Sequence, residues 1–152
     1  MRVVTRTRTA ATAVCAAVVV AVTGGAGSTE TLVERGAYLV TTVAACGNCH
    51  TPRDASGKPM ANMTLAGGFE YDDGPIGHVV ARNITPDPET GIGKWSLADI
   101  TELLKSGLTP DGDSVGSGMA DVVDGTGKLT DADRQAIAVY IKSLPPRRAT
   151  GK

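Results

Sequence analysis

The chain predicts an all-α fold of a few short helices joined by long, ordered loops. Three observations carry this. Three segments repeat apolar residues at helical spacing, and each opens on a capping residue. The stretches between them are rich in Gly, Pro, Asp and Asn. Aromatic residues are scarce: Tyr38, Phe69, Tyr71, Trp95 and Tyr140. A domain this small with so few rings has a thin core, so part of its apolar bulk must come from a bound group.

The N-terminus reads as an export signal. Met1 to Thr9 carries Arg2, Arg6 and Arg8 and no acid, Ala10 to Val22 is an apolar run of 13 residues, and Thr23 to Ala26 is small and weakly polar. Gly24 and Ala26 place a cleavage before Gly27, dividing the chain into a signal peptide, 1–26, and one domain, 27–152. The run falls short of the roughly 20 residues that span a bilayer. If it stayed uncleaved, it would tie the protein to the membrane. Cys15 is a small apolar residue of that run.

The first helix is expected from about Thr31 to Ala45, with Thr31 and Glu34 as a capping box and Leu32, Gly36, Leu39, Val40 and Val43 on one face. A glycine inside a helix costs roughly 1 kcal/mol against alanine, so Gly36 implies close approach of another backbone. A middle helix starts after Ser96, with Asp99 at N3, shows Leu97, Ile100, Leu103 and Leu104, and stops at Gly107. The last starts after Thr130, shows Ile137, Tyr140, Ile141 and Leu144, and stops at Pro145-Pro146. Thr51 to Lys94 and Thr109 to Lys128 read as ordered loop wrapped around a ligand, since loops of that length without one argue against a compact domain.

Cys46-Gly47-Asn48-Cys49-His50 identifies the ligand. The C-x-x-C-H spacing is the attachment site for a c-type heme. Two cysteines three apart lie on one face of a helical turn, within reach of the two vinyl groups of one porphyrin. His50 then stands where its imidazole binds iron. A zinc site would need four ligands, and the chain has just two histidines, His50 and His78. No strand of a βαβ unit precedes Cys46, against a thioredoxin-like site. A structural disulfide would leave His50 and the loops unexplained. Export agrees with this cofactor, because c-type heme is attached outside the cytoplasm.

On these residues the chain resembles the class I c-type cytochromes. A narrower resemblance rests on Arg35-Gly36-Ala37-Tyr38-Leu39, the Cys46 to Thr51 segment, Leu65-Ala66-Gly67-Gly68, Asn83-Ile84-Thr85-Pro86-Asp87, Thr90 to Ser96 and Ser143-Leu144-Pro145-Pro146. In that order they are similar to cytochrome subunits and domains of periplasmic alcohol, aldehyde and sugar-acid dehydrogenases. The resemblance implies the small cytochrome c fold, with N- and C-terminal helices crossing and a middle helix and loops around one heme c held by Cys46 and Cys49. It also implies a Met opposite His50 on the iron. Met60, Met63, Met119 and His78 are the candidates. Met119 follows His50 by 69 residues, just before the last helix, where this family carries its ligand loop. Met60 and Met63 come so early that the middle helix would have nothing to close over. The relatives tend to flank this Met with aromatic and proline residues, whereas here it reads Gly118-Met119-Ala120-Asp121. Trp95, Asn83 and Arg82 are candidate partners of the heme propionates; for Trp95 a backbone carbonyl is the alternative, and for Arg82 a surface role.

The function so implied is electron transfer without catalysis: a periplasmic carrier linking a dehydrogenase donor to an oxidase or another cytochrome of a respiratory chain, or a non-catalytic dehydrogenase subunit. The alternative is an open or labile sixth site used in ligand sensing or peroxidase-type catalysis. Without the three signal-peptide arginines, 12 basic and 16 acidic residues remain, a net charge near −4. No basic stripe exists for nucleic acid.

Overall fold

The computed structural model describes residues 29–74, 77–116 and 118–148. The expected signal peptide and Cys15 lie outside the described residues. Helix α1 spans Leu32–Tyr38, and the Thr31–Glu34 capping box is formed in both directions. The single helix expected to reach Ala45 does not run through. The backbone widens into a π turn at Leu39–Val43, with the Ala44 N–H donating to Leu39 O at 2.8 Å. Val40-Thr41-Thr42-Val43 is a β-branched run, which crowds a regular helix. Thr41 Oγ1 also bonds back to Ala37 O at 2.7 Å, a contact that competes with the helical ladder. Ala45 then turns the chain at a φ of 47° into the short helix α2, Gly47–His50.

Helix α5, Asp131–Ser143, crosses α1 at Gly36. A Cβ on Gly36 would stand 2.1 Å from Ala136 O and 2.6 Å from Tyr140 Cβ, so only a glycine permits this approach. Arg35 Nε donates to Asp133 Oδ1 at 2.8 Å beside the crossing. That ion pair holds the Asp133 carboxyl below its ordinary range and raises Arg35. Around the crossing, Leu39, Val40, Leu65, Ile92, Ile100, Leu104, Ile137 and Ile141 form the core. Helix α3, Leu97–Ser106, has its Ser96–Asp99 capping box and ends on Gly107 in the left-handed region. It buries Ile100 and Leu104, while Leu97 stays 40% exposed.

Two segments expected to be loop carry regular structure. Strands β1, Glu70–Asp73, and β2, Gly77–Val80, form an antiparallel hairpin with Tyr71 opposite Val79 and Asp72 opposite His78. Its turn uses positive φ at Gly74 and Gly77, and Phe69 and Tyr71 stack on one face with centroids 5.9 Å apart. Residues 118–126 form helix α4, Gly118–Thr126. Its C-terminal end is tied to α3 by Thr126 Oγ1 donating to Leu104 O at 2.6 Å. The buried Arg134 of α5 donates to the carbonyls of Thr126, Gly127 and Leu129, at 3.1, 3.0 and 2.5 Å, and pairs with Asp131. Those last carbonyls lack helical partners, and a cation satisfies them and the negative end of the helix dipole together.

Candidate functional site

Helix α2 carries the site. Its single turn puts Cys46, Cys49 and His50 on consecutive positions of one surface, with His50 N–H donating to Cys46 O at 2.9 Å. Both thiols are free. They differ in setting: Cys46 packs against the core and burial raises its pKa, whereas Cys49 is exposed. Cys46 is thus the more shielded of the two and Cys49 the more open to solvent.

The His50 ring is oriented by the backbone. Its Nδ1 lies 2.7 Å from the carbonyl oxygen of Arg82. A carbonyl can only accept, so Nδ1 carries the proton and Nε2 keeps the lone pair. Burial pushes the His50 pKa down against the opposing pull of that carbonyl, which favours the neutral imidazole a metal requires. A metal-bound histidine is typically held in this way through its other nitrogen.

The Arg82 carbonyl is itself placed by an irregular ladder. Gly67 N–H donates to His50 O at 2.7 Å, Gly68 N–H to Ala81 O at 2.8 Å, and Ile84 N–H to Leu65 O at 3.0 Å. Leu65 N–H in turn donates to the buried Thr51 hydroxyl at 3.1 Å. Gly67 sits at a φ of 76°, and a Cβ there would come within 2.4 Å of Asn83 N and 2.5 Å of Arg82 C. The Leu-Ala-Gly-Gly segment is therefore the bed on which the Arg82–Asn83 peptide lies.

The remaining predicted residues divide. Arg82 serves the site through its carbonyl, and its side chain is exposed. Asn83 is 5% exposed and commits its amide to protein: Nδ2 donates to Thr90 Oγ1 at 2.8 Å and to Arg147 O at 2.7 Å, and Oδ1 accepts from Thr85 N and Oγ1. Both N–H groups of the amide are thus engaged by protein. Trp95 is half-buried against the core, and its indole N–H has no hydrogen bond to protein among the described residues. Its carbonyl and that of Gly93 accept from Lys142 of α5. His78 lies on the hairpin with its side chain 57% exposed, between Glu70 and Asp72. Met60 caps and Met63 ends a short 3-10 turn, Ala61–Met63, and both are half-buried. Met119 is half-buried in the first turn of α4, where a Cβ on the neighbouring Gly118 would lie 3.3 Å from the Tyr71 hydroxyl. On the loop leading to it, Thr109 Oγ1 is buried without a partner among the described residues.

The residues present fit a covalent heme. Two free thiols stand on one turn, the imidazole has its lone pair freed by a carbonyl on the other nitrogen, and the loop before Met119 offers an unused buried hydroxyl. The backbone role of Arg82 and the bedding role of Gly67 were not read from sequence. Their signal was the Leu65-Ala66-Gly67-Gly68 and Asn83-Ile84-Thr85-Pro86-Asp87 segments, whose purpose becomes visible when they pair.

A family model described as cytochrome c matches residues 33–145. A dihaem cytochrome c-type protein of Cereibacter sphaeroides is 48% identical over 112 residues, covering 74% of this chain and 35% of that protein. The cytochrome c subunit of an alcohol dehydrogenase (quinone) from Gluconacetobacter polyoxogenes is 46% identical over 121 residues, 78% of this chain and 25% of that one. The cytochrome subunit of a fructose dehydrogenase from Gluconobacter japonicus is 40% identical over 119 residues, 78% and 23%. The chain thus spans about a quarter to a third of the length of these relatives.

Proposed function

Because the chain belongs to the cytochrome c family, we propose that it is an electron carrier of the periplasm or the outer face of a bacterial membrane, exported by its signal peptide. It holds one heme c through Cys46 and Cys49, with His50 and Met119 on the iron. The observation that carries this reading is the His50–Arg82 hydrogen bond on the C-x-x-C-H turn, which readies Nε2 for a metal. Heme supplies the chemistry, a one-electron change between Fe(III) and Fe(II).

The chain's own residues set the conditions of that change. His50, with electron density pushed onto its ring by the Arg82 carbonyl, favours the ferric state. A thioether at Met119 favours the ferrous state and raises the potential. The apolar core behind α2 does the same, because burial disfavours the extra positive charge of ferric heme. The exposed Cys49 marks the side on which a partner can approach the group.

The dehydrogenase subunits among the relatives support a dehydrogenase as donor; an oxidase or another cytochrome completes the proposal as acceptor. An uncleaved N-terminus would add membrane association. A second reading, an open or labile sixth site for ligand sensing or peroxidase-type chemistry, draws on the half-buried Met119 and its small neighbours. A redox titration with ferric and ferrous spectra separates the two. The carrier shows the weak far-red sulfur-to-iron band and no carbon monoxide adduct; an open site shows the reverse.

A further inference from the structure

We infer that Asn83 is a positioning residue for the iron-binding histidine, acting through the carbonyl of Arg82; this rests on the reading of His50 as an iron ligand. The orientation of the His50 ring depends on one acceptor, Arg82 O, at 2.7 Å from Nδ1. That oxygen belongs to the peptide joining Arg82 to Asn83, so anything that fixes Asn83 fixes the acceptor.

Asn83 is clamped from three directions. Inside its own loop, Oδ1 accepts from Thr85 N at 2.9 Å and Thr85 Oγ1 at 2.8 Å. Across the loop, Nδ2 donates to Thr90 Oγ1 at 2.8 Å. From the C-terminal tail, Arg147 O accepts from Nδ2 at 2.7 Å while Arg147 N–H donates to Thr85 Oγ1 at 3.1 Å. The glycines beside the clamp allow it. A Cβ on Gly91 would stand 2.3 Å from Thr85 O and 3.2 Å from Asn83 Cγ, and one on Gly67 would strike the Arg82–Asn83 peptide itself. Asn83 and Thr85 are 5% and 1% exposed, so these bonds are shielded from water and costly to break. The tail beyond α5 is thereby built into the support of a ligand more than 90 residues earlier in the chain.

Releasing the clamp lets Arg82 O drift from Nδ1. A weaker Nδ1–H···O bond makes Nε2 a poorer donor to ferric iron, so the potential rises. A residue that merely holds the loop would change stability and leave the iron as it was.

The test uses the full holoprotein as Asn83→Ala, with Thr85→Val as a milder variant should the first fail to retain its fold. Asp133→Asn, which removes the Arg35 pair at the α1–α5 crossing, serves as a stability control. Three quantities are read: the unfolding midpoint, the ratio of reduced to oxidised protein at a fixed ambient potential, and the paramagnetic shifts of the His50 ring protons in the ferric state. We expect all three variants to unfold earlier. For Asn83→Ala the reduced-to-oxidised ratio rises by roughly threefold or more, for Thr85→Val it rises by less, and in both the His50 shifts move. Asp133→Asn leaves both at parent values. Unfolding earlier with an unmoved ratio and unmoved His50 shifts overturns the inference while leaving His50 on the iron. A parent protein without paramagnetically shifted His50 signals overturns the ligand reading, and the inference with it.

Discussion

The segment from His50 to Trp95 and the segment from Gly107 to Thr126 are both glycine-rich, and they are held in different ways. On the histidine side, hydrogen bonds run to the ligand itself: Arg82 O on Nδ1, Gly67 N–H on His50 O, and the Asn83 clamp next to both. On the methionine side, the loop before Met119 closes on itself, with Val115 N–H donating to Gly107 O at 2.8 Å, and among the described residues the side-chain anchors lie at the far end of α4. Thr126 and Arg134 fix the last turn of α4, whereas Met119 sits in its first turn, after Gly116 and Gly118. The difference teaches that loop composition alone does not indicate rigidity; what decides is where the backbone hydrogen bonds end. Under the proposed ligation by His50 and Met119, the Met119 bond is the one expected to yield first.

The largest effect should come from breaking the rigid side. Gly67→Ala combines a left-handed φ with overlap onto the Arg82–Asn83 backbone and should cost about 3 kcal/mol or more, read as a lower unfolding midpoint in denaturant. Retention of parent stability would mean that the bed can shift, and the contrast with the methionine side would vanish.

Gly36→Leu strikes the crossing behind both segments. It overpacks against Ala136 and Tyr140 and should cost roughly 1–3 kcal/mol. We expect heme to stay attached and the Met119 bond to be partly lost, because that side is the looser. Loss of His50 coordination before Met119 would invert the comparison.

Met119→Ala sharpens it directly. Attachment should survive and stability should change by about 1 kcal/mol, as for other half-buried truncations. The potential should fall, and carbon monoxide should bind the ferrous form. A spectrum and potential equal to the parent's would move the ligand to Met60, Met63 or His78.

The smallest effect concerns acid. The Asp133 pKa is lowered in the fold by its hydrogen bond from Arg35. Its stabilisation is therefore present above the unfolded value near 3.8 and is lost as pH falls below it, through the folded value. Asp133→Asn should flatten the stability profile below about pH 4 and lower stability above it by less than about 1 kcal/mol. An unchanged profile below pH 4 would remove Arg35–Asp133 from the account of the crossing.

What could be read from sequence was what local chemistry dictates. The capping boxes at Thr31 and Ser96, the stop at Gly107 and the Gly36 crossing follow from short patterns with one physical meaning each. The π turn after Tyr38 was hidden because the apolar spacing of Leu39, Val40 and Val43 also suits an unbroken helix. The hairpin and α4 were hidden because glycine and aspartate dominate their composition, and tertiary anchors such as Thr126 and Arg134 outweigh propensity. At the candidate site, the helical turn that groups Cys46, Cys49 and His50 was legible from spacing. The partner of His50 was not, because a carbonyl 32 residues away leaves no side-chain signature.

The proposed function stands on one heme attached through Cys46 and Cys49. The most direct measurement is the intact mass of the exported protein under reducing denaturant, with heme staining of the same band. We expect a polypeptide heavier by one heme that keeps its stain, because thioethers survive reduction. A mass equal to the bare polypeptide, with colour lost on denaturation, would contradict it.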